Sequence, residues 1–199
     1  LVGEVRRVEI QREIAQVASQ RNQDPARAAE AWRAVLAARP GDLEALHGLL
    51  AAVEAAGDDG AFVEVGEQLV AVLQGAERSS LLRRLGLCCL EVGRPEEGVR
   101  FLEEAVDAEV PDLAAAVRLE SVHRASNDHE ALVRALIAQS GLVEDQAVAV
   151  EKLREAARRE LDVRHDRDAT HRIFGRLLEL APDDAEALAY EAGWLYERG

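Results

Sequence analysis

Residues 21–69 read RNQDPARAAEAWRAVLAARPGDLEALHGLLAAVEAAGDDGAFVEVGEQL. Asp24 followed by Pro25 supplies an N-cap and a proline at the first helical position, so a helix opens there and runs to about Ala38. Pro40 ends it, because proline has no N–H to donate and clashes with the preceding turn. A second amphipathic helix starts at Asp42 and places Leu46, Leu49, Leu50 and Val53 at helical spacing, with Gly57 as its C-cap. Its partner carries Phe62, Val65, Leu69 and Val70, to about Leu73. The stretch is therefore written in antiparallel helices, and it sets the register for the rest of the chain.

Composition agrees. The 199 residues are 48% hydrophobic and include only five prolines. Ala, Leu, Glu and Arg dominate, all strong helix formers, and the β-branched and aromatic runs of strands are missing. A formal charge of −14 argues against nucleic-acid binding, which needs a basic face, and favours solubility. Lys152 is the only lysine; the arginine and alanine bias suggests a GC-rich bacterial genome. Cys88 and Cys89 are adjacent within a helical pattern, a poor geometry for a relaxed disulfide, and are read as small buried residues, which fits a reducing, cytoplasmic setting. No apolar run reaches the roughly 18 residues of a membrane helix, so no direct membrane insertion is expected. The absence of methionine and the end in mid-pattern at Gly199 are read as marks of a fragment of a longer protein.

Outward from the opening stretch, the pattern repeats. A first helix from about Glu4 to Gln20 carries Val5, Val8, Ile14, Ala15 and Val17. A third pair begins near Ser79 with Leu81, Leu82, Leu85 and Leu87, stops at Gly93, and restarts at Pro95 with Val99, Leu102, Ala105 and Val106. Pro111 opens a fourth pair with Leu113, Val117, Leu119 and Val122; Asn127 takes the glycine place at its end, and Leu132, Leu136 and Ile137 follow. The fifth pair spans Val143 to about Val163, then Ala169 to Leu180. A helix without a partner, Ala185 to Arg198, closes the chain. The turn residues Gly57, Gly93, Asn127 and His165 are 36, 34 and 38 residues apart. A period near 34 with two helices per unit is the mark of a helical solenoid.

These residues resemble the tetratricopeptide repeat family. Ala28-x3-Trp32-x7-Pro40 and Thr170-x3-Phe174-x7-Pro182 share the spacing of the family's second-helix alanine, aromatic and closing proline. Leu85-Gly86-x2-Cys89 sits where the first-helix Leu-Gly-x2-Tyr belongs. Gly66, Leu102 and Leu136 stand where the aromatic is usual, Cys89 stands for the tyrosine, and the fourth and fifth repeats lack the Leu-Gly pair. The resemblance implies an all-α, right-handed α-α superhelix of about five helical hairpins plus a C-terminal unpaired helix. It sets repeats at approximately 4–40, 41–76, 77–110, 111–141 and 142–182, with a half-repeat at 183–199, in one domain. A helical-repeat class with longer units is the rival.

The resemblance also implies that each repeat's first helix lines a concave face that holds a partner peptide or helix. Carried over, the inward residues are Glu13, His47, Ala51, Glu54, Arg83, Leu87, Val117, Ser121, Arg124, Glu155, Arg159 and Asp162. Either Arg83, Arg124 and Arg159 form a cationic track suited to carboxylates, and hence to an acidic partner, or they pair with neighbouring glutamates. The Lys-Asn pairs of family members that grip a C-terminal carboxylate are absent; Asn22 and Asn127 both fall in turns.

Arg154, Arg158, Arg159, Arg164, Arg167, Arg172 and Arg176 are interleaved with carboxylates and read as a charge-balanced exposed surface. His165, Asp166, Asp168 and His171 lack metal-ligand spacing, with a turn between them and no i,i+4 histidine pair, so no metal is expected. No nucleophile–base set and no phosphate loop is present, and no cofactor or enzymatic activity is expected. Tyr190 and Trp194 lie one turn apart, and with Tyr196 they mark an end face that a further helix or a second copy would cover. Two functions fit: a protein-interaction scaffold, or a structural or oligomerisation spacer stacked on neighbouring regions of the same polypeptide.

Overall fold

The computed structural model describes the backbone of residues 2–20 and 23–198, and side chains within residues 5–20 and 23–197; the turn expected at Asn22 lies outside them. Among the described residues it contains eleven α-helices and no strand: α1 (Val2–Gln20), α2 (Pro25–Ala38), α3 (Leu43–Ala56), α4 (Asp59–Val70), α5 (Gly75–Glu91), α6 (Pro95–Val106), α7 (Leu113–Ser126), α8 (His129–Leu142), α9 (Gln146–Arg159), α10 (Arg167–Leu180) and α11 (Ala185–Arg198). The chain divides into two compact units, residues 1–101 and 102–199, with the boundary inside α6. Helices α1–α5 in the first unit and α7–α11 in the second pack chiefly on their neighbours in sequence, as in an array of hairpins.

Aspartate opens most of these helices. Asp24, Asp42, Asp58, Asp112, Asp128, Asp145, Asp166 and Asp184 each accept a backbone N–H from the first turn that follows. Each cap is worth about 1 kcal/mol and places negative charge at the positive end of a helix dipole. A sizeable part of the acidity that reads as mere solubility in the sequence is therefore local helix chemistry.

The helix ends explain the repeat length. Gly57, Gly93, Asn127 and His165 all adopt left-handed backbone, with φ of 69°, 77°, 56° and 55°. After the first three, the next N–H returns to a carbonyl five residues back: Asp58 to Val53, Arg94 to Cys89 and Asp128 to His123. At the fourth, α9 runs into a π-turn over Glu160–Arg164, and the Asp166 N–H reaches six residues back, to Glu160. This extra residue contributes to the long 38-residue interval.

Some boundaries differ from the sequence expectation. The third pair begins at Gly75 rather than near Ser79, and Asp112, not Pro111, caps α7. Val143 ends α8 instead of opening the fifth pair, because the Asp145 carboxylate starts α9 at Gln146. Helix α4 stops at Val70, short of Leu73.

The motif residues form the core. Ala28, Trp32, Thr170 and Phe174 are buried, as are Leu102, Leu136 and Cys89 at the departures from the usual pattern. Gly66 has a physical reason: a Cβ there would lie 2.3 Å from Leu85 Cδ2, so Leu85 occupies the volume an aromatic would fill. A Cβ at Gly48 would lie 2.3 Å from the Trp32 ring, and one at Gly98 would lie 2.9 Å from the Gly86 carbonyl oxygen. The two thiols are free; burial, ahead of the neighbouring Asp59, pushes Cys88 up to about 11, and burial also raises Cys89. Both are protonated at neutral pH and chemically quiet.

Candidate functional site: the face of the first helices

In the first unit the first helices are α1, α3 and α5. Arg12 on α1 pairs with Asp42 and, at 3.0 Å, with Glu44; Gln16 donates to Glu44 at 3.3 Å. One repeat on, Arg84 on α5 reaches Glu54 on α3 at 2.6 Å, and His47 lies 3.8 Å from Glu77. Glu13, His47, Ala51 and Glu54 are exposed, while Arg83 and Leu87 are half-buried.

In the second unit the first helices are α7, α9 and α11, and charged pairs again join each to the next. Arg124 donates to Glu155 at 2.9 and 3.3 Å and to Glu120 at 2.6 Å; Arg159 donates to the same Glu155 at 3.0 Å. Burial pushes Glu155 up, but the hydrogen bonds from Arg124 and Arg159 outweigh it and hold the carboxyl below its ordinary value. Arg124 is raised by its bonds to Glu155 and Glu120. Of the three arginines weighed as a cationic track, Arg124 and Arg159 are thus bridged through one carboxylate. Val117, Ser121 and Asp162 are exposed, Val117 to 50%.

Behind this face lies a polar group that the sequence reading passed over. Gln139 is 1% exposed and donates to the Ala116 carbonyl at 3.2 Å and to Glu120 at 2.7 Å, and Lys152 donates to Glu120 at 2.6 Å. Burial raises Glu120, yet the bonds from Lys152, Arg124 and Gln139 bring it down to about 2. It is ionised throughout the physiological range and ties α7, α8 and α9 together. The signal was present in the pattern: Gln139 occupies a core position after Leu132 and Leu136, where an apolar residue is expected.

Of the seven arginines from Arg154 to Arg176, four reach carboxylates on another element. Arg154 reaches Asp184 at 2.6 Å, Arg158 bonds Glu186 at 2.7 and 2.6 Å, Arg164 reaches Glu130 at 3.2 Å, and Arg167 reaches Glu197 at 2.6 Å. The histidines near the turn have structural partners. His165 Nδ1 lies 3.0 Å from the Leu161 carbonyl, and His171 Nδ1 lies 2.8 Å from Glu191 while its ring stacks on Trp194 at 4.9 Å. No group of three or more metal-ligating side chains converges among the described residues.

The end face is not formed by Tyr190 and Trp194, contrary to the expectation from their spacing. Tyr190 and Trp194 turn toward α10: Tyr190 packs on Phe174 with ring centroids 5.1 Å apart and donates to the Arg167 carbonyl at 2.8 Å, and Trp194 is 7% exposed. They complete the last hairpin's core because Phe174 and His171 require a cover. The open face of α11 instead carries Leu188, Ala192, Leu195 and Tyr196, with Leu195 68% and Tyr196 90% exposed. No helix among the described residues is long and apolar enough to cross a membrane.

No protein-family model matches the chain, and no curated protein sequence matches it. Solved structures do. A tetratricopeptide repeat protein from Parabacteroides merdae aligns over 96% of this chain and 73% of its own, with a TM-score of 0.55 and 14% identity. The MamA protein aligns over 90% and 94%, with a TM-score of 0.53 and 17% identity. YrrB, described as a tetratricopeptide repeat protein with an unusual peptide-binding site, aligns over 89% and 88%, with a TM-score of 0.50 and 14% identity. At these identities the likeness establishes the fold alone: an all-α array of the tetratricopeptide type.

Proposed function

We propose that the chain is a non-enzymatic protein-interaction module that holds an extended segment or a helix of a partner against its first helices. The observation that carries this reading is the exposed row Val117, Ser121 and Arg124 on α7 beside the half-exposed Glu155 and Arg159 on α9, set on helices that ion pairs fix to one another. Val117 and Ser121 project from a backbone whose position does not depend on them, so the face is pre-organised and loses little entropy on binding. The bridging of Arg124 and Arg159 by Glu155 gives this face both charges, which suits a mixed-charge or polar segment better than a purely acidic one. The likeness to YrrB supports a peptide as occupant by analogy of fold.

The experiment is a selection of binding peptides from a random display library, followed by Val117→Asp with Ser121→Arg. Both positions are exposed, so folding should be kept while affinity falls at least about tenfold, or roughly 1.4 kcal/mol. Binding within twofold of the unaltered chain, with helicity unchanged, refutes the face.

A second reading, a packing or self-association module, is supported by one specific observation: the apolar stripe of Leu188, Ala192, Leu195 and Tyr196 on α11. Leu188→Glu with Leu195→Glu should leave a monomer; an unchanged sedimentation profile of a self-associated species removes this reading.

A further inference from the structure

A cavity of about 360 Å³ lies within the second unit, between the C-terminal half of α6, helix α7 and helix α8, and away from the residues of the first-helix face. Its apolar wall comes from Val106, Leu119 and three alanines of α8. Its polar groups are His123, Glu103, Asp107 and Arg134. The volume falls in the range of small-ligand sites, and an apolar wall with a few convergent polar groups is their usual composition.

His123 is the unexpected member. It is 7% exposed, sits on the buried stripe of α7 after Ala116 and Leu119, and its imidazole makes no hydrogen bond among the described residues. A ring that lines a cavity and holds no protein partner leaves its nitrogens open to a guest. Burial lowers its proton affinity, with Arg134 acting the same way and Asp128 and Glu103 opposing, so the ring is neutral at physiological pH and keeps one nitrogen as an acceptor.

The rim is also rich in acceptors. Glu103 and Asp107 stand one turn apart. The only cation there, Arg134, is shared: it is 3.8 Å from Glu103 and 3.3 Å from Glu130. The contact to Glu103 is long and exposed and is worth little. A guest that took over Glu103 would leave Arg134 with Glu130. A neutral imidazole and two carboxylates select a donor, and the narrow alanine wall selects an unbranched apolar stem.

We propose that this cavity is a receptor for a basic side chain, arginine or lysine, of a partner polypeptide, with its aliphatic stem along the alanine wall and its cationic head between Glu103 and Asp107. The site is independent of the first-helix face and would anchor a partner on a second surface of the same unit. The chain's net charge of −14 draws such a segment in at long range.

The test uses the whole chain and N-acetyl-arginine amide as the probe, followed through the His123 ring signal in NMR spectra, with assignment by His123→Gln. A single charged side chain should bind in about the millimolar range and shift that signal saturably. N-acetyl-norleucine amide, which has the stem without the charge, should not. Glu103→Gln with Asp107→Asn, both on the accessible rim, should weaken the arginine probe about tenfold. The proposal is overturned if the norleucine probe gives the same saturable shift, if no saturable shift is seen with the arginine probe, or if the double variant binds within about threefold of the unaltered chain.

Discussion

Replacing Glu120 with glutamine keeps the shape of the side chain and removes the charge that Lys152, Arg124 and Gln139 share. The carboxyl is held at about 2 instead of 4.5, which by linkage corresponds to about 3 kcal/mol. Arg124 is 45% exposed, so solvent screens part of this, and about 1–2 kcal/mol is the expected loss at neutral pH. The sign with pH follows from the depressed value: the stabilisation is complete above the unfolded pKa near 4.5 and disappears as pH falls through about 2. Urea unfolding, followed by circular dichroism, should therefore show a gap between the native chain and Glu120→Gln that is full at neutral pH and closes toward the acid end. A gap below about 0.5 kcal/mol at neutral pH, or one that stays constant on acidification, refutes the role given to this carboxylate.

Gly48→Ala should destabilise by about 1–3 kcal/mol despite alanine's better helix propensity, because its Cβ meets the rigid Trp32 ring; a companion Trp32→Leu change should recover part of the loss in chemical denaturation. Gly57→Val places a β-branched residue at φ 69° and should cost about 1–2 kcal/mol, whereas the same change at Gly141, which has no close neighbour and no positive φ, should cost less than about 1. Trp194→Ala should cost about 3 kcal/mol and speed amide exchange in α11, while Tyr196→Ala, 90% exposed, should change stability by less than about 0.5 kcal/mol.

The fold was legible because its punctuation is local. Gly57, Gly93, Asn127 and His165 mark helix ends through backbone conformation alone, and the aspartates and prolines mark the starts, so a spacing of paired helices could be read without knowing any long-range contact. Boundaries slipped where a cue was non-local or competing: Val143 continues the apolar pattern of α8, and only the Asp145 cap decides that α9 begins later. Which helices carry the candidate residues was legible; how their charges pair was not. The sequence places Arg124, Glu155 and Arg159 on first helices, yet whether the arginines stand open or share Glu155 depends on the 31-residue separation bringing α7 beside α9. Gln139 and His123 were visible as polar interruptions of apolar stripes, a signal that becomes chemical only when the neighbouring helix is in place. Tyr190 and Trp194 were assigned to the wrong side because helical spacing shows that two residues share a face but not which neighbour that face meets.

Amide hydrogen exchange of the chain with and without a selected peptide tests the central claim most directly. Added protection concentrated on α7 and α9, with α8 and α10 unchanged, is the expected result. Protection confined to α8 and α10, or none at saturating peptide, would contradict the assignment of the first helices as the binding face.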